Sequence, residues 1–135
     1  VKLKIFSDGA SRGNPGEAGC GFAVFSSDEQ LLKEGSLYIG HATNNVAEYR
    51  AVLEAARFAA TLKPNEISFY LDSELIVKQM KGEYKVKNET LAQIRLQLLK
   101  SLEGISYSFN HVRREYNKLA DKLANKAIDE KIMSI

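Results

Sequence analysis

The sequence predicts an α/β fold: a mixed five-stranded sheet, three antiparallel strands followed by parallel ones, flanked by helices. Three observations carry this expectation. Apolar, strand-like runs at 3–6, 19–27 and 31–40 follow one another with no helical segment between them, which argues for hairpins. Segments with helical apolar spacing then dominate the chain. Between those segments lie two more strand-like runs, at 67–72 and 105–112. The order is β-β-β-α-β-α-α-β-α, whereas a doubly wound dinucleotide fold would need a helix between its first strands.

Each element has its own signal. "LKIF" (3–6) is apolar enough for a buried strand, and "GCGFAVFSS" and "LLKEGSLYIG" are joined by the polar "SSDEQ". "NNVAEYRAVLEAARFAATL" (44–62) sets Val46, Tyr49, Leu53, Ala56 and Ala60 at helical spacing, and Pro64 follows its end. "ISFYLD" (67–72) reads as a short strand, and "SELIVKQM" (73–80) as a short helix stopped at Gly82. "ETLAQIRLQLLKSL" (89–102) repeats Leu91, Ile94, Leu98 and Leu102, and "ISYSFNHV" (105–112) alternates as a strand. "NKLADKLANKAI" (117–128) closes the chain as a helix expected to turn Leu119, Leu123 and Ala127 inward. No repeat, linker or low-complexity segment interrupts the run, so residues 1–135 are expected to form one domain.

Composition narrows the function classes. Hydrophobic residues make up 44% and charged residues 27%, as in a soluble globular chain. No apolar run is long enough for a membrane span, and Lys2 and Lys4 lead into a strand-like alternation and not into a secretory leader. Cys20 is the only cysteine, which excludes an internal disulfide and suits a reducing, cytoplasmic setting. The formal charge of +2 is too small to announce a nucleic-acid binder. Local charge is more informative: "KQMKGEYKVK" (78–87) carries Lys78, Lys81, Lys85 and Lys87 against Glu83, and Arg113 and Arg114 follow later. By itself such a run can be a solvated helix end.

The stretch "FSDGASRGNPGEAGCGF" (6–22) raises the functional question. A phosphate-binding loop would lead from strand into helix with a Lys and a Ser or Thr, whereas these glycines lead into another strand. Asp8-Gly9 could form a tight hairpin turn. That leaves "SRGNPG" as surplus length, and long glycine-rich connections often let a backbone approach a ligand.

Asp8 has company. Glu48 falls in the first turn of the 44–62 helix, Asp72 where strand meets helix, and Asp121 in the first turn of the last helix. Each has an ordinary explanation: a capping box with Asn45, an N-cap, or a favourable place in a helix dipole. If strands 3–8 and 67–72 are parallel neighbours, however, both end in an aspartate at the edge where α/β sheets collect ligands. Carboxylates gathered there repel one another, and a divalent cation relieves the repulsion. Oxygen-only ligands favour Mg²⁺ or Mn²⁺, while zinc would want His or Cys, of which the chain offers only His41, His111 and Cys20, widely spread. Such a cluster suits two-metal phosphodiester hydrolysis, which needs no nucleophilic Ser or Cys.

Four motifs, "SDGASRGNPG", "TNNVAEYRAV", "LDSELIVKQM" and "NKLADKLAN", come in the order and at the separations of the type I ribonucleases H, and the chain resembles that family over nearly its whole length. The resemblance implies a ribonuclease H-like fold with Asp8, Glu48, Asp72 and Asp121 as the catalytic carboxylates holding two Mg²⁺ ions, which Mn²⁺ can replace. It implies hydrolysis of the RNA strand of an RNA–DNA hybrid, giving 5′-phosphate and 3′-hydroxyl ends. It further implies substrate contacts at Asn14, Thr43, Asn44 and Asn45, with Gly9 and Ser11 of the glycine-rich stretch approaching the same backbone. Short amides and a hydroxyl can read 2′-OH and sugar edges without sequence preference.

Two departures stand out. The family's basic protrusion between the second and third helices is replaced by "KGEYKVKN" (81–88), leaving Lys81, Lys85 and Lys87 as candidate phosphate contacts. The longer, histidine-bearing loop before the last helix is reduced to "VRREYN" (112–117), where Arg113 or Arg114 could meet a phosphate. His111 precedes that loop and is expected to be structural. The competing reading is a module that binds hybrid or double-stranded RNA with weak or no cleavage; the presence of all four acids argues against it. A monomer without membrane association is expected.

Overall fold

The computed structural model describes residues 1–135. β1 (Lys2–Arg12), β2 (Gly16–Ser26) and β3 (Leu31–Ala42) form an antiparallel meander. α1 (Asn44–Thr61) leads to β4 (Glu66–Leu71), then α2 (Glu74–Met80), α3 (Glu89–Ser101) and β5 (Ser106–His111). A single 3₁₀ turn (Arg114–Tyr116) precedes α4 (Lys118–Glu130), and β6 (Met133–Ser134) ends the chain. The sheet order is β5-β4-β1-β2-β3-β6, with β1–β4 and β4–β5 parallel. The expected five strands and their directions are present. The sixth, β6, pairs Met133 and Ser134 with Leu37 and Ser36, and two residues are too few to leave a pattern.

The expected glycine-rich loop is the larger correction. Asp8-Gly9 is not a turn: both residues lie inside β1, which runs on to Arg12, and only Gly13, Asn14 and Pro15 separate it from β2. Gly13 adopts φ +120°, where a side chain would be strained. Gly16 lets the turn close against the Arg12 carbonyl, and Gly9, Gly19 and Gly21 thin the sheet so that helices can approach. A Cβ on Gly9 would lie 2.3 Å from the backbone of Ala47 and Glu48, and one on Gly21 would lie 2.3 Å from the carbonyl of Ala120. Gly9 thus admits α1 on one face, and Gly21 admits α4 on the other.

The main core lies on the α1 side, where Leu3, Ile5, Phe22, Val24, Ile67 and Phe69 meet Tyr49, Val52, Leu53 and the α3 residues Leu91, Ile94 and Leu98. α4 turns Ala120, Leu123, Ala124 and Ala127 inward. The expected Leu119 is only half-buried, because the glycine-lined strand receives small residues more closely than a leucine allows. α4 covers β1, β2 and β3, leaving an aromatic cluster at the open end of that face: Phe6 stacks on Tyr70 at 4.9 Å and meets Phe25 edge-on at 5.9 Å. No helix is long and apolar enough to cross a membrane.

Candidate active site

The site arises from the β1–β4 register. Their parallel pairing ends at Phe6–Tyr70, two residues before Asp8 on one strand and Asp72 on the other. Beyond that point β4 stops at Leu71 while β1 continues beside β2 alone. Asp8 is therefore within a strand, not at its end; what ends there is the pairing. Glu48 enters the gap from α1 as its fifth residue, just past the first turn in which it was expected, because Thr43 and not Asn45 caps the helix. Thr43 Oγ1 accepts the Val46 N–H at 3.2 Å, so the Asn45–Glu48 capping box is not formed. Asp72 stands just before Ser73, which caps α2 by accepting the Ile76 N–H.

Carboxylate oxygens of Asp8, Glu48 and Asp72 all lie within 4.8 Å of one another. Asp8 and Glu48 are buried, each 7% exposed. Burial first, then the charges of Asp72 and Glu48, push the Asp8 carboxyl up to about 9. Burial likewise lifts Glu48 to about 7, opposed by its hydrogen bonds with Asp8 and Ser73 and by the more distant Arg114 charge. The group resists losing its last proton, and this is the electrostatic signature of a site suited to a cation. The donors are oxygen only, as hard divalent ions require. Cys20 offers nothing here: its buried thiol is pushed up to about 12 and donates to the Ala47 carbonyl.

Asp121 is on α4, exposed and outside the group of three, with Asn125 Nδ2 donating to its carboxylate at 3.3 Å. Its charge nevertheless contributes to raising Asp8. The structure thus brings three of the four expected acids together and holds the fourth nearby.

Beside the acids runs a polar cleft of about 660 Å³ lined by Ser11, Asn14, Thr43, Asn44, Asn45, Asn88 and Leu91. Asn14 Oδ1 accepts the Asn44 N–H at 2.9 Å, locking the β1–β2 turn to the start of α1. Ser11 Oγ donates to the Ala42 carbonyl at 2.7 Å. Of the expected substrate-binding residues Gly9 is absent from this cleft; it is buried under α1. Asn88 is a lining residue the sequence reading passed over; its amide caps α3 by accepting the Leu91 N–H, and an Asn before a helical run was the available signal.

The basic residues divide. Lys81, Lys85 and Lys87 are exposed and form no ion pair, whereas Lys78 is tied to Glu74 at 3.0 Å and to Tyr84. Arg113 pairs with Glu115 at 3.7 Å, and Arg114 is the arginine whose charge reaches Glu48. His111 stands at the end of β5, as its place before the loop led one to expect, and is exposed, as is His41 on β3.

Comparison with known proteins agrees with this geometry. A family model described as reverse transcriptase-like matches residues 6–127. The chain is 34% identical to the ribonuclease H of Albidiferax ferrireducens, covering 94% of each chain. It superposes on the crystal structure of RNase H1 from Halobacterium salinarum with a TM-score of 0.92 at 39% identity, covering 96% of this chain and 99% of that one. LC11-RNase H1, solved in complex with an RNA/DNA hybrid, gives 0.90 at 39% identity, covering 96% and 98%. Among curated mycobacterial relatives at 42% identity, the chain spans 36% of their length.

Proposed function

We propose, from the premise that this chain belongs to the ribonuclease H family, that it is a metal-dependent endonuclease hydrolysing the RNA strand of RNA–DNA hybrids, with 5′-phosphate and 3′-hydroxyl products. The observation that carries this is the meeting of Asp8, Glu48 and Asp72 oxygens within 4.8 Å beside an asparagine-rich cleft. Residues 1–135 act in this reading as one catalytic domain.

Asp8, Glu48 and Asp72 would hold the metal, with Asp121 completing the set from α4. Two Mg²⁺ ions, replaceable by Mn²⁺, would supply Lewis-acid activation of the attacking water and stabilisation of the leaving oxygen. The chain's own residues do the rest. Asn14, Thr43, Asn44 and Asn45, with Ser11, bind the hybrid along the cleft, where short polar groups suit sugar edges and 2′-hydroxyls. Exposed Lys81, Lys85 and Lys87 hold a flanking phosphate backbone, strengthening binding without reading sequence. The bound hybrid of LC11-RNase H1 supports the choice of substrate. The protein acts as a monomer in the cytoplasm, a setting that suits its single buried thiol.

The test is cleavage of end-labelled hybrid, double-stranded RNA and DNA across Mg²⁺ and Mn²⁺ titrations, beside Asp8→Asn. Metal-dependent cuts confined to the RNA strand of the hybrid are expected. Parental activity in Asp8→Asn would overturn the proposal, and binding without cleavage would favour a hybrid-binding module.

A further inference from the structure

Asn117 occupies the residue before α4, where an asparagine ordinarily caps the helix with its side chain. Here it forms no side-chain cap. Its amide instead turns into the protein, 1% exposed, and Nδ2 donates to the backbone carbonyl of Ser7 at 2.9 Å. Ser7 is the residue just past the last β1–β4 pair and just before Asp8. The Asn117 backbone carbonyl in turn accepts the N–H of Asp121 at 3.1 Å. One residue therefore bonds to the peptide preceding Asp8 and to the peptide of Asp121.

Asn117 Oδ1 is buried without a hydrogen-bond partner. Burying an amide with half of its capacity unused costs stability, so packing strength alone does not account for an asparagine here. We propose that Asn117 is a positioning residue that sets the distance between the Asp8 strand and the Asp121 helix, and so aligns the fourth carboxylate with the other three at a divalent-cation site. This rests on the assignment of Asp121 to the metal set made above.

Ser36 provides a matched control. Its buried Oγ donates to the Leu123 carbonyl at 2.8 Å, so it also ties α4 to the sheet, but with Gly21 between it and Asp8 and with no bond to the peptide of either acid. The experiment compares Asn117→Ala, the isosteric Asn117→Asp, Ser36→Ala and Asp121→Asn. For each, Tm, Mn²⁺ affinity by calorimetry without substrate, and kcat and KM on hybrid are measured well below the melting temperature.

Both Asn117 variants should bind Mn²⁺ about tenfold more weakly and lose roughly 10- to 100-fold in kcat, with KM within about twofold. Ser36→Ala should melt lower and lose neither. Asn117 variants that melt lower yet keep parental Mn²⁺ affinity and kcat would reduce the residue to a structural tie and overturn the proposal, as would Ser36→Ala losing kcat to the same degree. Parental behaviour of Asp121→Asn would show that the underlying assignment has failed. Loss in Asp121→Asn without loss in the Asn117 variants would defeat the positioning role alone. Should Asn117→Ala not fold, Asn117→Asp carries the comparison, since it fills the same space without the amide donor.

Discussion

Replacing Asp8 by asparagine should stabilise the protein in the absence of divalent ions while abolishing its chemistry. Folding brings three carboxylates within 4.8 Å. At that separation and an effective dielectric of about 20, two like unit charges repel by about 3.5 kcal/mol. The protein lowers this cost by retaining a proton. Asp8 is raised from 3.8 to about 9 and Glu48 from 4.5 to about 7, so above pH 4.5 the folded state binds protons that the unfolded chain has released. Stability therefore falls as pH rises, from just above the ordinary carboxylate values to about 7 and onward toward 9. The slope is about 1.4 kcal/mol per pH unit for each extra proton held. Urea unfolding in chelator at pH 5, 6, 7 and 8 measures it directly. Asparagine is neutral without binding a proton, so Asp8→Asn should flatten the slope and gain about 4 kcal/mol at pH 7, the cost of protonating a carboxyl whose ordinary value is 3.8, on the order of 10 °C in Tm for a chain of this size. Millimolar Mg²⁺ should stabilise the parent increasingly as pH rises, because the ion competes with protons for the same oxygens. A metal-free variant no more stable than the parent at pH 7, or with an unchanged pH slope, would refute the clustering of charge on which this reasoning depends.

Other consequences can be tested in parallel. Gly21→Ala should lower Tm steeply or prevent folding, since its new methyl would meet the Ala120 carbonyl at 2.3 Å; melting curves check this. Tyr49→Phe removes a buried 2.7 Å hydrogen bond to Gln79 and should cost about 1–3 kcal/mol in urea unfolding. Replacing Lys81, Lys85 and Lys87 together by glutamine should raise KM for hybrid without changing kcat. The salt dependence of binding should fall by roughly 0.7–0.9 in log–log slope for each phosphate that a lysine no longer neutralises.

The sequence reading recovered what depends on periodicity. All four helices and five strands are found, and Leu91, Ile94, Leu98 and Leu102 are buried as their spacing required. The candidate acids were legible because Asp72 stands between a strand and a helix, Asp8 interrupts an apolar run, and Glu48 and Asp121 come early in their helices. What escaped detection depends on packing between distant elements. Gly9 looked like turn material, and Gly19 and Gly21 looked like ordinary strand residues, since a glycine marks a close helix approach only when the partner helix is known. On α4, Leu123 and Ala127 turn inward as expected, but Leu119 yields to Ala120 for the same reason: Leu119 is the more apolar residue, yet Ala120 fits against Gly21. Thr43 displaced Asn45 as the cap by the position of the first helical turn, which propensity locates only to within a residue or two. That the charge of Arg114 reaches Glu48 while Arg113 pairs with Glu115 follows from the path of the 3₁₀ turn, which no motif encodes.

Asp8 lies directly opposite Gly21, and Gly9 directly opposite Cys20, so two adjacent rungs of one hairpin open toward opposite sides. The ladder thus works as a gauge plate between two helices. Its thickness at these rungs, where side chains are missing, fixes how near Glu48 and Asp121 can come to Asp8. A methyl on Gly9 or on Gly21 would meet helix backbone at 2.3 Å, so the gauge has no slack on either face. The spacing of the carboxylates is thereby set by two absent side chains as firmly as by the acids themselves.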